Sequence, residues 1–224
     1  MPSTSAINSY APPPHTGLDI LYEDASLLVV NKPSGLLSVP GRGEDKRDSL
    51  ISRVQTEFPE ALTVHRLDME TSGVCVFARN PDIHRHLSDL FASREINKRY
   101  VAVAAGRMQL NQGCIDLPLI TDWPNRPRQK VDRENGKPSL TYYKVLTRNI
   151  EENSTRVELQ PETGRSHQLR VHLLSLGHPI LGDKLYADPL SQQQAPRLLL
   201  HATALSFTHP LTQEPMRFLS EPPF

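Results

Sequence analysis

The chain has 224 residues, 38% of them hydrophobic and 22% charged, with 25 basic side chains against 25 acidic ones. That length suits one large domain with a substantial core. No apolar stretch approaches the length that spans a bilayer, which excludes a helical membrane protein. Zero net charge excludes a nucleic-acid binder working through overall positive charge, and leaves room for a local basic patch. Cys75 and Cys114 stand in no metal-like spacing, and no basic n-region followed by an apolar h-region opens the chain. A cytoplasmic, reducing compartment is the expectation.

Residues 1–16 are rich in Ser, Pro and Ala and read as a flexible tail, leaving 17–224 as the folded domain. Ile20 to Tyr22 and Leu27 to Val30 predict two strands joined by a turn at Glu23 to Ser26. Lys32-Pro33-Ser34-Gly35 breaks the second. A helix is expected from Ser49 to Phe58, capped by Asp48 and stopped by Pro59. Gly73 to Ala78 is short and apolar throughout, the pattern of a buried strand. The clearest helix follows, with Asn80 as cap, Pro81 in its first turn, and Ile83, Leu87, Leu90 and Phe91 as one apolar stripe.

Strands are expected at Tyr100 to Ala104, Thr141 to Leu146, Thr155 to Leu159, Leu198 to Phe207 and Met216 to Leu219. A further helix is expected from near Arg165 to Gly177, with Leu169, Leu173 and Leu176 facing the core. Strands outnumber helices without alternating with them. The fold class is α+β: a mixed, largely antiparallel sheet with packed helices.

The stretch His65-Arg66-Leu67-Asp68-Met69-Glu70-Thr71-Ser72-Gly73 lies in a loop feeding the apolar strand. A buried strand is a rigid mount from which such a loop can present Asp68 to a cleft. Thr71 and Ser72 can bond the loop backbone or the carboxylate, and Gly73 permits a tight turn or close packing. On spacing alone the same residues can be a turn whose Asp satisfies local amides. Between Trp123 and Arg133 stand Arg126, Arg128, Lys130 and the acid Asp132, with Pro124 and Pro127. This predicts a stiff, exposed, basic loop. Trp123 is read as its core anchor, with a base-stacking platform as the alternative. His84 and His86 are two apart, His167 and His172 five apart, so no metal site is expected.

The Asp68 stretch resembles the HRLD-x-x-TSG signature of the RluA family of pseudouridine synthases. Asn31-Lys32-Pro33-Ser34-Gly35-Leu36 is similar to the family's N-terminal segment, and Lys98-Arg99-Tyr100 falls where the family carries a tyrosine. Thr163 to His172 resembles its TGR-x-HQLR-x-H block; Gly177 to Asp183 and Leu200-His201-Ala202 resemble its last segments. The resemblance covers residues 19–224. Asp122 to Pro127 with Gln129-Lys130-Val131 is similar to an insertion of the family's short members, which act on both ribosomal and transfer RNA. Consistent with that, a tail of this size is too short for a separate RNA-binding domain.

The resemblance implies isomerisation of uridine to pseudouridine in structured RNA, in 23S ribosomal RNA and transfer-RNA anticodon stem-loops, with no cofactor. It implies three catalytic residues: Asp68 as the carboxylate, Tyr100 as ring platform or proton carrier, and Arg165 as the partner that orients Asp68 and opposes its protonation. Arg66 is expected either to fill the space left by a flipped base or to clamp a phosphate. Lys32, Lys98 and Arg99 are expected in the cleft's positive wall, and Trp123, Arg126, Arg128 and Lys130 against RNA. His65, Thr71, Ser72, Gly73 and His167 are expected to support the loop. A non-catalytic RNA-binding protein or chaperone would not require Asp68, Tyr100 and Arg165. A glycosidase pair of Asp68 with Glu70 is disfavoured, because residues two apart in an extended loop point opposite ways.

Overall fold

The computed structural model describes residues 10–224. Strands β1 (Ile20–Glu23) and β2 (Leu27–Lys32) open the fold, followed by α1 (Leu50–Glu57), β3 (Leu62–Thr63), β4 (Ser72–Ala78) and α2 (Pro81–Ala92). Then come β5 (Asn97–Ala105), β6 (Gln112–Asp116), β7 (Leu119–Thr121), β8 (Gln129–Val131), β9 (Leu140–Asn149) and β10 (Ser154–Pro161). The chain ends with α3 (Gln168–Ser175), α4 (Pro189–Gln193), β11 (Leu200–Thr208) and β12 (Pro215–Leu219).

Ten strands form one sheet in the order β1-β2-β4-β11-β5-β10-β9-β6, with β12 on β11 and β3 on β4, while β7 and β8 form a separate hairpin. Among the described pairings, β4 with β11 is parallel and the rest are antiparallel. This is the expected α+β class.

Period-2 alternation distributes the core. Leu27, Val29, Val74 and Val76 pack with Ile83 and Leu87 of α2 on one face. Leu28, Val30, Cys75 and Phe77 pack with Leu50, Ile51 and Val54 of α1 on the other. That is why β4 is buried throughout. A third cluster joins β5, β9 and β10 to Leu169 and Leu173 of α3, and Tyr100 packs against both this cluster and the one under α1.

Several expectations are corrected. The α1 cap is Ser49, whose hydroxyl accepts from the Ser52 amide while the Ser52 hydroxyl accepts from the Ser49 amide. Asp48 instead holds Arg53 through two 2.8 Å bonds. Helix α3 starts at Gln168, three residues late, because His167 sits at φ 54° and the Gln168 side chain accepts from the Arg165 amide and the Thr163 hydroxyl. Leu176 falls beyond the helix and is exposed. The proposed tail is covered only in part, since residues 1–9 lie outside the described residues. Tyr10 lies on the domain, donating to Asp48 O and accepting from the Leu37 amide, and Arg53 bonds Pro13 O at 2.6 Å. No helix among the described residues is long and apolar enough to cross a membrane.

Candidate active site

Asp68 stands at the end of the loop before β4, with 26% of its side chain exposed. The Asn31 to Ser38 segment pins this loop from behind. Lys32 is fully buried, and its Nζ spends its three protons on the carbonyls of Pro33 (3.0 Å), Leu36 (2.5 Å) and Met69 (2.9 Å). Burial lowers its pKa to about 8, against the opposing pull of Cys75, Asp68 and Glu70. The Ser34 hydroxyl donates to Glu70 O, the Gly35 amide to Met69 O, and Ser38 both donates to Leu67 O and accepts from the Leu67 amide. Lys32 is therefore part of the loop's mounting and not of a positive cleft wall.

The supporting residues act mostly on backbone. The Thr71 amide closes a turn onto Asp68 O at 3.1 Å. The Ser72 hydroxyl reaches neither the loop nor the carboxylate: it meets His201 Nδ1 at 2.8 Å and accepts from Arg197 at 2.6 Å. Gly73 takes the close-packing role against β11. His65 accepts from the Val76 amide through Nε2 and stacks on Phe91; burial lowers its pKa to about 4.

The arginine beside Asp68 is Arg170, not Arg165. Arg170 Nη1 donates to Asp68 Oδ2 at 3.3 Å, while Nε and Nη2 fork onto buried Asp183 at 2.8 and 2.6 Å. Burial opposes the Arg170 charge, but the Asp183 bonds outweigh it and raise its pKa. Arg165 is exposed in the turn before α3, with Nε 3.3 Å from Pro138 O. Arg170 is buried within α3, whereas Arg165 lies outside the helix and is exposed.

His167 stands on the same side, Nε2 4.0 Å from Asp68 Oδ2. Its pKa is lowered, first by burial and then by Arg170, with Asp68 opposing. Tyr100 of β5 is partly exposed beneath the loop; burial pushes its phenol pKa up, and Cys75 and Asp68 push the same way. Its hydroxyl is therefore neutral at ordinary pH. Arg66 is exposed on the loop's solvent side.

Lys98 and Arg99 alternate along β5 and so cannot share one wall. Lys98 is half-buried with Nζ 3.4 Å from Thr163 O, and Arg99 lies 3.5 Å from Glu158. The basic segment is the β7–β8 hairpin, its second strand already underway at Gln129. Trp123 is 65% exposed, so it is not a core anchor, and Arg126 lies on its ring 4.4 Å from the centroid. Arg128 and Lys130 are exposed beside it. Among the described residues no group of three His, Cys, Asp or Glu side chains is gathered for a metal ion.

Known proteins share this architecture. The pattern of the family described as RNA pseudouridylate synthase matches residues 26–175. A protein of Escherichia coli strain K12, the dual-specificity RNA pseudouridine synthase RluA, is 54% identical over 212 residues, covering 95% of this chain and 96% of that one. The chain belongs to the RluA family of pseudouridine synthases. The protein of the same name from Pasteurella multocida is 52% identical over 219 residues, covering 98% of this chain and all of that one. Among solved structures, human RNA Pseudouridylate Synthase Domain Containing 1 is 31% identical with a TM-score of 0.80, covering 96% of this chain and 87% of that chain. As a family member the chain is an RNA uridine isomerase. The residues around Asp68 that sequence reasoning missed are Arg170 and Asp183, and both stand inside segments that resemble the family's motifs.

Proposed function

We propose that this pseudouridine synthase works in the cytoplasm on uridines in both large-subunit (23S) ribosomal RNA and transfer-RNA anticodon stem-loops, with Asp68 as its catalytic carboxylate and no cofactor. The reaction breaks the bond from C1′ to N1, turns the uracil and joins C1′ to C5. It has no redox change and no net hydrolysis, so a carboxylate and a closed pocket suffice. Attack at C1′, addition at C6 or removal of the C2′ proton all draw on the same group.

The observation that carries this reading is the Asp68–Arg170–Asp183 chain. It holds a solvent-reachable carboxylate in one direction through a buried, doubly bonded guanidinium. The Tyr100 ring supplies a face for uracil and a neutral hydroxyl. Arg66 faces solvent two residues away and can fill the gap left by a flipped base. Trp123, Arg126, Arg128 and Lys130 offer stacking and phosphate contacts on an exposed hairpin. The dual substrate rests on relatives named for dual specificity at 52–54% identity.

Asp68→Asn keeps the shape and removes the charge. It should abolish pseudouridine formation while leaving RNA affinity nearly intact, and appreciable turnover would overturn the assignment. An isolated anticodon stem-loop and a matching ribosomal hairpin should both react, and an unstructured strand of the same sequence should lag. Reaction of one hairpin alone would remove the dual assignment.

A further inference from the structure

Outside the ion chain, the buried Tyr186 hydroxyl joins the β7–β8 hairpin to the neighbourhood of Asp68. Its oxygen is 2.7 Å from the Gln129 amide of β8 and 2.7 Å from His167 Nδ1. Its ring lies under the Arg170 guanidinium at 5.0 Å and under Arg128 at 5.3 Å. His167 Nε2, on the far side of the imidazole, points to Asp68 at 4.0 Å.

Proton counting fixes the direction of this chain. The Gln129 amide is a donor, so the phenol oxygen accepts there. Tyr186 is 6% exposed, and an O–H left without an acceptor in such a place is costly. His167 Nδ1 is the acceptor within reach, which leaves the imidazole proton on Nε2. The opposite tautomer would strand the phenol proton and turn an imidazole lone pair toward a carboxylate.

We infer that Tyr186 is a positioning residue that holds His167 as the Nε2–H tautomer, with that N–H aimed at Asp68, and so couples seating of the basic hairpin to the geometry of the carboxylate. The separation of 4.0 Å is longer than a hydrogen bond. A closure of about 1 Å when RNA presses on the hairpin would make it one, as catalytic contacts tighten in complexes. The inference rests on the reading of Asp68 as catalytic and of the hairpin as an RNA contact.

The direct test is the tautomer in the free, full-length protein, read from two-bond 15N–1H correlations of the His167 ring. The expected proton is on Nε2; a proton on Nδ1 overturns the proposal, whatever Asp68 does. Tyr186→Phe keeps the ring against the two arginines and removes the hydroxyl. It should release the tautomer to a mixture and lower kcat about tenfold, with little change in KM for an anticodon stem-loop. An unchanged ring spectrum in this variant overturns the proposal. In a His167→Ala background the same substitution should cost no further kcat; a full additional loss would mean that Tyr186 does not act through His167. Failure of the Asp68 reading shows separately, as turnover by Asp68→Asn with the tautomer intact.

Discussion

Gly73 meets Ala202 where β4 and β11 run parallel, so closely that an ideal Cβ on Gly73 would lie 2.2 Å from the Ala202 carbonyl oxygen. The glycine also sits at φ 117°, a conformation that side chains disfavour. This contact sets the end of β4 against the middle of the sheet, five residues after Asp68. The neighbour is backbone, which cannot swing away as a side chain can.

Gly73→Ala should therefore destabilise the fold by about 3 kcal/mol or more, the sum of overpacking and backbone strain. Gly164 has open space where its Cβ would be. Gly164→Ala should stay within about 0.5 kcal/mol of the parent. Urea melts of the two variants check this, and equal midpoints would refute the contact's importance.

The two arginines of the Thr163 to Arg170 segment should separate cleanly. Arg170→Lys keeps the charge but loses the fork that spans Asp183 and Asp68. Misdirection of Asp68 should lower kcat about a hundredfold. Arg165→Ala should leave kcat nearly unchanged, with any loss falling on KM. Single-turnover and steady-state assays on one stem-loop distinguish these, and the reverse ranking would restore Arg165 as the partner of Asp68.

Acid should find His65 early. Its pKa falls from 6.5 to about 4 on folding because burial penalises the cation. Below pH 6.5 the unfolded chain takes up a proton that the native state refuses, so stability drops as pH falls from about 6.5 to about 4 and the effect is complete below that. The full contribution is roughly 3 kcal/mol. His65→Gln, whose amide oxygen can still accept from Val76, should show a shallower slope in this window. Equal slopes would mean that His65 does not titrate as its burial requires.

Replacing Arg126, Arg128 and Lys130 by Ser should weaken RNA binding and flatten its salt dependence. Each lost phosphate contact lowers the log–log slope by about 0.7 to 0.9. Fluorescence titrations of a stem-loop at several salt concentrations give the slope. An unchanged slope would remove the hairpin from the RNA interface.

Local chemistry carried most of the fold. Asn80, Pro81 and the stripe from Ile83 to Phe91 delimit α2 in sequence and in space, because caps and period are properties of one segment. The apolar run of β4 announced burial on both faces in the same way. Strands β6, β7 and β8 were not legible. Gln112 to Asp116 is too polar, and the three-residue strands of the hairpin are too short to show a period.

The sequence by itself determined the Asp68 loop, the tyrosine at position 100 and the family that both imply. Only the tertiary structure decided which arginine faces the carboxylate, since Asp68 and Arg170 are 102 positions apart and meet through sheet order and the register of α3. It also decided that Lys32 is buried, because its Nζ is satisfied by carbonyls of two separate segments that no local pattern brings together. Trp123, expected as a core anchor, is on the surface for the same reason. Periodicity reports how a residue sits on its own element, while burial and pairing depend on which other element arrives opposite it.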